Sequence, residues 1–212
     1  MPVTRYRLAV TAAVSALVLL VLPGCSSVGA TPGPTKTAAT SASSPASQTY
    51  ASKTFVFPLT VTVDASLKSP PDPDSRHLLS WDAANSSDNK VRFLVPTNLY
   101  RPDSTISKAP PKNYLTYLQG LTSHGAQLSN VTKVTVDGHP ATLMTATSTG
   151  LPGVLDGTLG CPSTDADQAE GCFGIQPDLS LRIAVIPVGN TTLLAWGPHE
   201  QGQSRRGVLC HV

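Results

Sequence analysis

Cysteine thiols offer the clearest chemistry in this 212-residue sequence, which contains four of them. Cys161 and Cys172 bracket a short acidic segment, GCPSTDADQAEGC. Two thiols so placed can close a disulfide or supply half of a tetrahedral zinc site. A structural zinc ion would need two further cysteine or histidine ligands nearby, and the sequence places none there. We therefore predict a Cys161–Cys172 disulfide, which requires that the chain reaches an oxidising compartment.

The beginning of the chain predicts such an export. Arg5 and Arg7 precede an uncharged, almost wholly apolar run from Leu8 to Leu22. As a helix this run would be about 22 Å long, whereas the apolar core of a bilayer needs about 30 Å. The run is thus too short for a comfortable span and is typical of a secretory signal. We assign residues 1–24 to a signal peptide.

A third cysteine follows the apolar run directly, in the sequence Leu22-Pro23-Gly24-Cys25. These four residues resemble the bacterial lipobox, in which a leucine stands three residues before a cysteine that becomes the lipidated N-terminus. Pro23 replaces the small residue that is usual at its position. The resemblance implies lipidation of Cys25 and attachment to the outer face of the cell membrane. Cleavage after Ala30, with ordinary secretion, is the alternative.

Two segments are too polar to fold on their own. Residues 25–53 consist mostly of Ser, Thr, Ala, Pro and Gly, a composition that cannot bury enough apolar surface to offset chain entropy. We predict a disordered tether behind the lipidated cysteine. Residues 198–212 are polar and aperiodic as well, and we predict a disordered tail with a free or intermolecular thiol at Cys210.

Between these segments lies room for one domain, residues 54–197. It contains nine Lys or Arg and twelve Asp or Glu residues, although the whole chain has a formal charge of +2. A nucleic-acid surface needs clustered positive charge. We therefore expect no nucleic-acid partner.

Apolar residues in this domain alternate with polar ones, which predicts antiparallel strands joined in hairpins. Asp137-Gly138 and Gly189-Asn190 are placed as hairpin turns. A single helix is predicted where Tyr114, Leu118 and Leu121 fall on one stripe. We expect an α+β fold: an antiparallel sheet with one amphipathic helix packed on a face. The predicted strands are FVFPLTVTV, HLLSWDA, VRFLVPT and the two arms of each hairpin, with ANSSDNK as a turn.

Catalytic motifs are weak. Ser87-Asp88-Asn89-Lys90 contains both S-x-x-K and S-D-N, but penicillin-binding enzymes carry these as separate motifs together with K-T-G. A hydrophilic turn explains the overlap better. His77, His124 and His139 leave room for a dispersed serine hydrolase triad, since triads are set by geometry rather than spacing. We predict no catalytic residue, and keep a small secreted serine hydrolase as the alternative.

Ligand residues are equally hard to assign. Asp165, Asp167 and Glu170 supply oxygen atoms that suit Ca²⁺, yet they lack the spacing of an EF-hand loop. We expect a solvated acidic loop, with no metal and no cofactor. Tyr100-Arg101 follows a predicted strand and is a candidate pocket rim. The other large aromatic residues are assigned to the core by default, namely Trp81, Tyr114, Tyr117 and Trp196.

The order of elements resembles that of actinobacterial lipoproteins with Mog1/PsbP-like domains. The paired early strands, the helix APPKNYLTYLQG and the hairpins VTVDGHPATLMTAT and LRIAVIPVGNTTLLAW carry this resemblance. It implies a non-enzymatic binding or assembly module, with an envelope protein or a small apolar ligand as its partner. After Gly197 the sequence departs from that pattern, because no closing helix is predicted there.

Overall fold

A computed structural model of the protein describes residues 46–84, 86–149, 158–169, 171–177 and 179–199. The predicted signal peptide, the lipidation of Cys25, most of the tether and the thiol of Cys210 lie outside these residues. Within the described part, no helix is long and apolar enough to cross a bilayer.

Six antiparallel strands form the central sheet. They are β3 (Leu78–Ala83), β4 (Ser86–Leu94), β7 (Ala126–Val136), β8 (His139–Ser148), β11 (Leu181–Val188) and β12 (Thr191–Pro198). Their order in the sheet is β3-β4-β12-β11-β8-β7. Side chains alternate between the two faces of the strands, and each face of the sheet carries its own apolar cluster.

Both predicted hairpin turns are confirmed. Asp137 and Gly138 have φ values of 45° and 77° between β7 and β8, as a two-residue turn of type I′ demands. Gly189 has a φ of 58° between β11 and β12. Glycine adopts this conformation at no steric cost, which is why the two dipeptides locate the turns in the sequence.

A separate hairpin covers one face of the sheet. It consists of β1 (Ser47–Ala51) and β2 (Thr60–Asp64), which pair antiparallel. Val61 and Val63 of β2 are buried with Trp81 and Phe93 of the sheet. The prediction of a tether up to residue 53 is therefore wrong in its last part, because β1 gains its order from a partner strand that its own composition does not reveal.

The strand predicted over FVFPLTVTV is shorter than expected. Phe55, Leu59, Val61 and Val63 are all buried, as the alternation predicts. Only the part after Pro58 forms a strand, because proline has no N–H to donate to a ladder. The residues before it are held by single hydrogen bonds, such as that from the Val56 N–H to the Arg76 carbonyl.

The described part contains a single α-helix, α1 (Tyr114–Gly120), which continues as a 3-10 turn over Leu121–His124. The Asn113 side chain caps its N-terminus by accepting from the Thr116 N–H at 3.1 Å. Its buried side chains join the apolar cluster on the sheet face opposite the β1–β2 hairpin. The described chain is thus mostly antiparallel strand with one short helix, in broad agreement with the α+β prediction.

Short strands complete the helix side: β5 (Leu99–Tyr100) pairs with β6 (Ser107–Lys108), and β9 (Thr158–Gly160) pairs with β10 (Phe173–Gly174). The sequence does not predict them, because two or three residues show no periodicity.

Two expected boundaries are wrong. Residues predicted as the turn ANSSDNK belong largely to β4, which begins at Ser86 and pairs Lys90 with Asp82 of β3. The salt bridge between these two side chains, at 3.2 Å, supports that pairing. The predicted tail also begins too early, since β12 includes Pro198 and the His199 N–H donates to the Ser180 carbonyl at 2.7 Å.

Candidate functional site

Hydrogen bonds from two tyrosines clamp α1 to β9. The Tyr117 hydroxyl donates to the Thr158 carbonyl at 2.7 Å, and the Tyr114 hydroxyl donates to the Leu159 carbonyl. The rings of the two tyrosines meet edge to face, 5.6 Å apart. Because both tyrosines are on α1, the clamp fixes how the helix lies against the rest of the domain.

Thr158 extends the clamp to β5. Its hydroxyl accepts from the Tyr100 N–H at 2.8 Å and donates to the Tyr100 carbonyl at 3.2 Å. The threonine is fully buried, so a hydroxyl there is stable only with such partners. These two hydrogen bonds fix the backbone of Tyr100, and they therefore also fix the start of the segment that carries Arg101.

A groove of about 490 Å³ lies between that segment and the outer side of α1. This volume falls within the range of about 300–1,000 Å³ that is usual for small-molecule sites. Its wall is part apolar and part hydrogen-bond donor. The lining residues are Arg101, Pro102, Pro111, Asn113, Thr116, Tyr117, Gly120, Leu121 and His124.

A contact between a histidine and a carboxylate joins the two sides of the groove. His124 Nδ1 lies 3.5 Å from Asp103 Oδ2, which connects the end of the 3-10 turn to the loop after β5. Asp103 has a φ of 60°, a conformation that aspartate tolerates better than most residues. The imidazole lines the groove, whereas the carboxylate is not among its lining residues.

The charge of Arg101 reaches into the groove. Burial raises the pKa of Tyr117 to about 12, while its hydrogen bond to Thr158 and the positive charge of Arg101 act in the opposite direction. Among the residues that the structure describes, the Arg101 guanidinium has no hydrogen-bond acceptor and no ion-pair partner. It is thus available to a ligand.

The predicted disulfide between Cys161 and Cys172 is present, with Cα atoms 4.3 Å apart. The loop that it closes is bound to the same polar network. The Tyr100 hydroxyl donates to the Ala166 carbonyl at 3.1 Å, and the Thr97 N–H donates to the Cys161 carbonyl at 2.9 Å. The bridge therefore supports the β5 side of the groove from behind.

A second polar cluster lies around Asp74, on the side of the β1–β2 hairpin. Its carboxylate accepts from the hydroxyls of Tyr50 at 2.6 Å, Ser52 at 2.7 Å and Thr54. Burial alone would raise the pKa of Asp74, but these three hydrogen bonds outweigh it and hold the pKa below its usual value. With its acceptors engaged by the protein, this cluster ties β1 to the loop before β3.

The histidines considered for a hydrolase triad lie apart. The His77 imidazole lies near the backbone of Pro162, the His124 imidazole contacts Asp103, and His139 begins β8. Neither His77 nor His124 contacts a serine hydroxyl among the described residues. Of the overlapping motif, the residues Ser87 to Lys90 belong to β4.

The described part of the acidic loop shows no set of metal ligands. Within the described residues, no group of three or more His, Cys, Asp or Glu side chains is placed to hold a metal ion. Asp167 accepts from the Ala169 N–H at 2.8 Å, and Asp165 is solvent-exposed with its pKa lowered by Ser163. Glu170 lies outside the described residues.

Most large aromatic residues are core residues, as expected: Trp81, Tyr114 and Trp196 are buried. Arg101, part of the dipeptide considered as a candidate pocket rim, lines the groove. The sequence does not predict that Asn113 and Thr116 line a groove. Their position beside the predicted helix start was visible, but nothing in the sequence indicated a facing wall.

Comparisons with known proteins leave the family open. No protein-family model, no curated protein and no solved structure matches the chain. The resemblance to Mog1/PsbP-like lipoproteins therefore stays a prediction.

Proposed function

We propose that this protein is an exported bacterial lipoprotein that works as a binding module on the outer side of the cell membrane. Lipidated Cys25 anchors it there, and the Ser/Thr/Ala/Pro-rich residues that follow hold the domain away from the bilayer. A diacylglyceryl group with two buried chains is enough for stable anchoring, where one chain is marginal. The Cys161–Cys172 disulfide agrees with this location.

The groove beside α1 carries the binding part of the proposal. In this proposal α1 is an amphipathic helix: Tyr114 and Leu118 are buried against the sheet, and Thr116 and Gly120 line the groove on the outer side. The groove has a volume typical of small-molecule sites, a back wall fixed by hydrogen bonds, and donor groups that the protein does not use itself. These are the features that a binding site requires. A protein that binds its ligand without cleaving a bond needs no catalytic residue in addition.

Cell fractionation tests the anchored, exported state. Wild-type protein is expected in the membrane fraction, with a mature N-terminus at Cys25 whose mass includes the lipid. The Cys25→Ser variant is expected in the soluble fraction or as an uncleaved precursor. Soluble wild-type protein that begins at Thr31 would establish ordinary secretion instead.

Labelling by a fluorophosphonate probe tests the hydrolase alternative in the same samples. Such probes modify an activated serine covalently, because they need a nucleophile with a general base beside it. The proposal predicts no labelling above that of heat-denatured protein. Stoichiometric labelling of one serine would show that the protein is an enzyme rather than a binding module.

A further inference from the structure

The lining of the groove selects for a particular charge. Arg101, Asn113 and Thr116 each present donor groups to it, and His124 lies at its end. The Asn113 side-chain oxygen is used by the Thr116 N–H, which leaves its amide N–H₂ for a ligand. No carboxylate is among the lining residues.

The charges around the groove also favour a negatively charged ligand. The segment from Leu99 to His124, which forms both walls, contains three basic residues and one acidic residue. The domain as a whole is acidic, with nine Lys or Arg against twelve Asp or Glu between residues 54 and 197. Of these three basic residues, Arg101 lines the groove, so the attraction of an anion to this surface of an acidic domain depends on its guanidinium.

The rest of the lining is apolar. Pro102, Pro111 and the half-buried ring of Tyr117 contribute hydrocarbon surface to the groove. Tyr117 has little freedom to move, since its hydroxyl is bound to the Thr158 carbonyl. An anion alone would leave this apolar surface in contact with water, whereas an apolar body attached to the anion would cover it.

We infer that the groove binds a small amphiphilic anion, a carboxylate or phosphate attached to an apolar body, with Arg101 as the residue that pairs with its acidic head. The inference rests on the proposed function, because it assigns a ligand class to the groove of the binding module. Arginine suits this role, since its planar guanidinium makes two parallel hydrogen bonds to either acidic group. Such an anion is supplied as a soluble molecule or as a membrane lipid with an acidic head.

Binding of radiolabelled octanoate tests the ligand class. The full chain is held in phosphatidylcholine nanodiscs, and the signal of empty nanodiscs is subtracted. Wild-type protein is expected to bind one octanoate per chain, with octanol competing at least tenfold more weakly. Arg101→Gln is expected to weaken octanoate binding tenfold or more. Lys133→Gln makes the same charge change at an exposed position of β7 and is expected to change it less than twofold.

Two further arms identify the source of the anion. If phosphatidylglycerol nanodiscs abolish octanoate binding, the acidic head comes from a lipid; if binding persists, it comes from a soluble amphiphile. Competition by inorganic phosphate as strong as that by octanoate would overturn the requirement for an apolar body. Absence of saturable binding, equal competition by octanol, or equal losses in the two variants would overturn the inference. Membrane fractionation of Cys25→Ser is independent of these results, so the proposed anchoring can stand when the ligand class fails.

Discussion

Removing the Cys161–Cys172 bridge is expected to lower stability without abolishing the fold. The two cysteines are 11 residues apart in sequence. Closing a loop of that size restricts the unfolded chain by about 3 kcal/mol on the chain-entropy estimate. For a protein of this length, 1 kcal/mol shifts the melting temperature by about 2–4 °C, so the double variant Cys161→Ser/Cys172→Ser should melt roughly 6–12 °C lower.

The fold should persist because the bridge is not the only constraint on the loop. Cys161 exchanges backbone hydrogen bonds with its neighbours on the other chain segment, donating to the Asn98 carbonyl and accepting from the Thr97 N–H, both at 2.9 Å. The Tyr100 hydroxyl holds the middle of the loop at Ala166. The six-stranded sheet and both apolar clusters are built mostly from residues outside the loop.

Scanning calorimetry of the variant beside oxidised and reduced wild-type protein measures this contribution. Reduced wild-type protein should melt at the temperature of the variant, which controls for the serine substitutions themselves. Far-UV circular dichroism should be unchanged at 20 °C. A variant that melts at the wild-type temperature would refute the entropic argument, and a variant without a cooperative transition would refute the claim that the sheet folds without the bridge.

Three further substitutions test other parts of the structure by urea unfolding. Asp74→Asn should cost about 1–3 kcal/mol near pH 7, since it removes a charged acceptor from three hydroxyls. The pKa of Asp74 is held below 3.8, so its contribution is present above about pH 4 and is lost as the pH falls. The difference in stability between the variant and the wild type should therefore shrink as the pH is lowered below about 4. Tyr117→Phe should cost about 1–2 kcal/mol at pH 7, because it removes the hydrogen bond from the Tyr117 hydroxyl to the Thr158 carbonyl. Burial raises the pKa of Tyr117 to about 12, so the wild type should lose stability as the pH rises from about 10 to 12, and Tyr117→Phe should lose less. Equal losses in the two proteins would contradict the raised pKa of Tyr117. Gly160→Ala should cost about 1–3 kcal/mol, because Gly160 has a φ of 143° and a Cβ atom there would lie 2.7 Å from the Pro96 Cβ.

Local signals in the sequence predict the hairpins and the disulfide. Asp137-Gly138 predicts a tight hairpin turn from the sequence alone. A type I′ turn needs a positive φ at both central residues, and Asn-Gly, Asp-Gly and Gly-Gly dipeptides are strongly preferred there. Tyr114, Leu118 and Leu121 are buried together, as their helical spacing predicts. The Cys161–Cys172 pair follows from the absence of other metal ligands nearby.

Long-range contacts explain what the sequence does not predict. Strand β1 has a composition typical of disorder and becomes a strand by pairing with β2. Thr158 looks like any threonine, yet its hydroxyl bridges to Tyr100, 58 residues away. The groove depends on these hydrogen bonds between Thr158 and Tyr100 and on the contact between Asp103 and His124. Neither contact leaves a local pattern in the sequence. Sequence periodicity therefore locates the helix but not the wall that faces it.

Photo-crosslinking in the native envelope tests the central claim, that the groove is where this module binds its ligand. A benzoylphenylalanine at Thr116, which is exposed and lines the groove, is compared with one at Thr135, which is exposed on β7. After irradiation, the intact mass of the purified protein should show a discrete adduct at Thr116 and none at Thr135. The same adduct at both positions, or none at either, would contradict the claim.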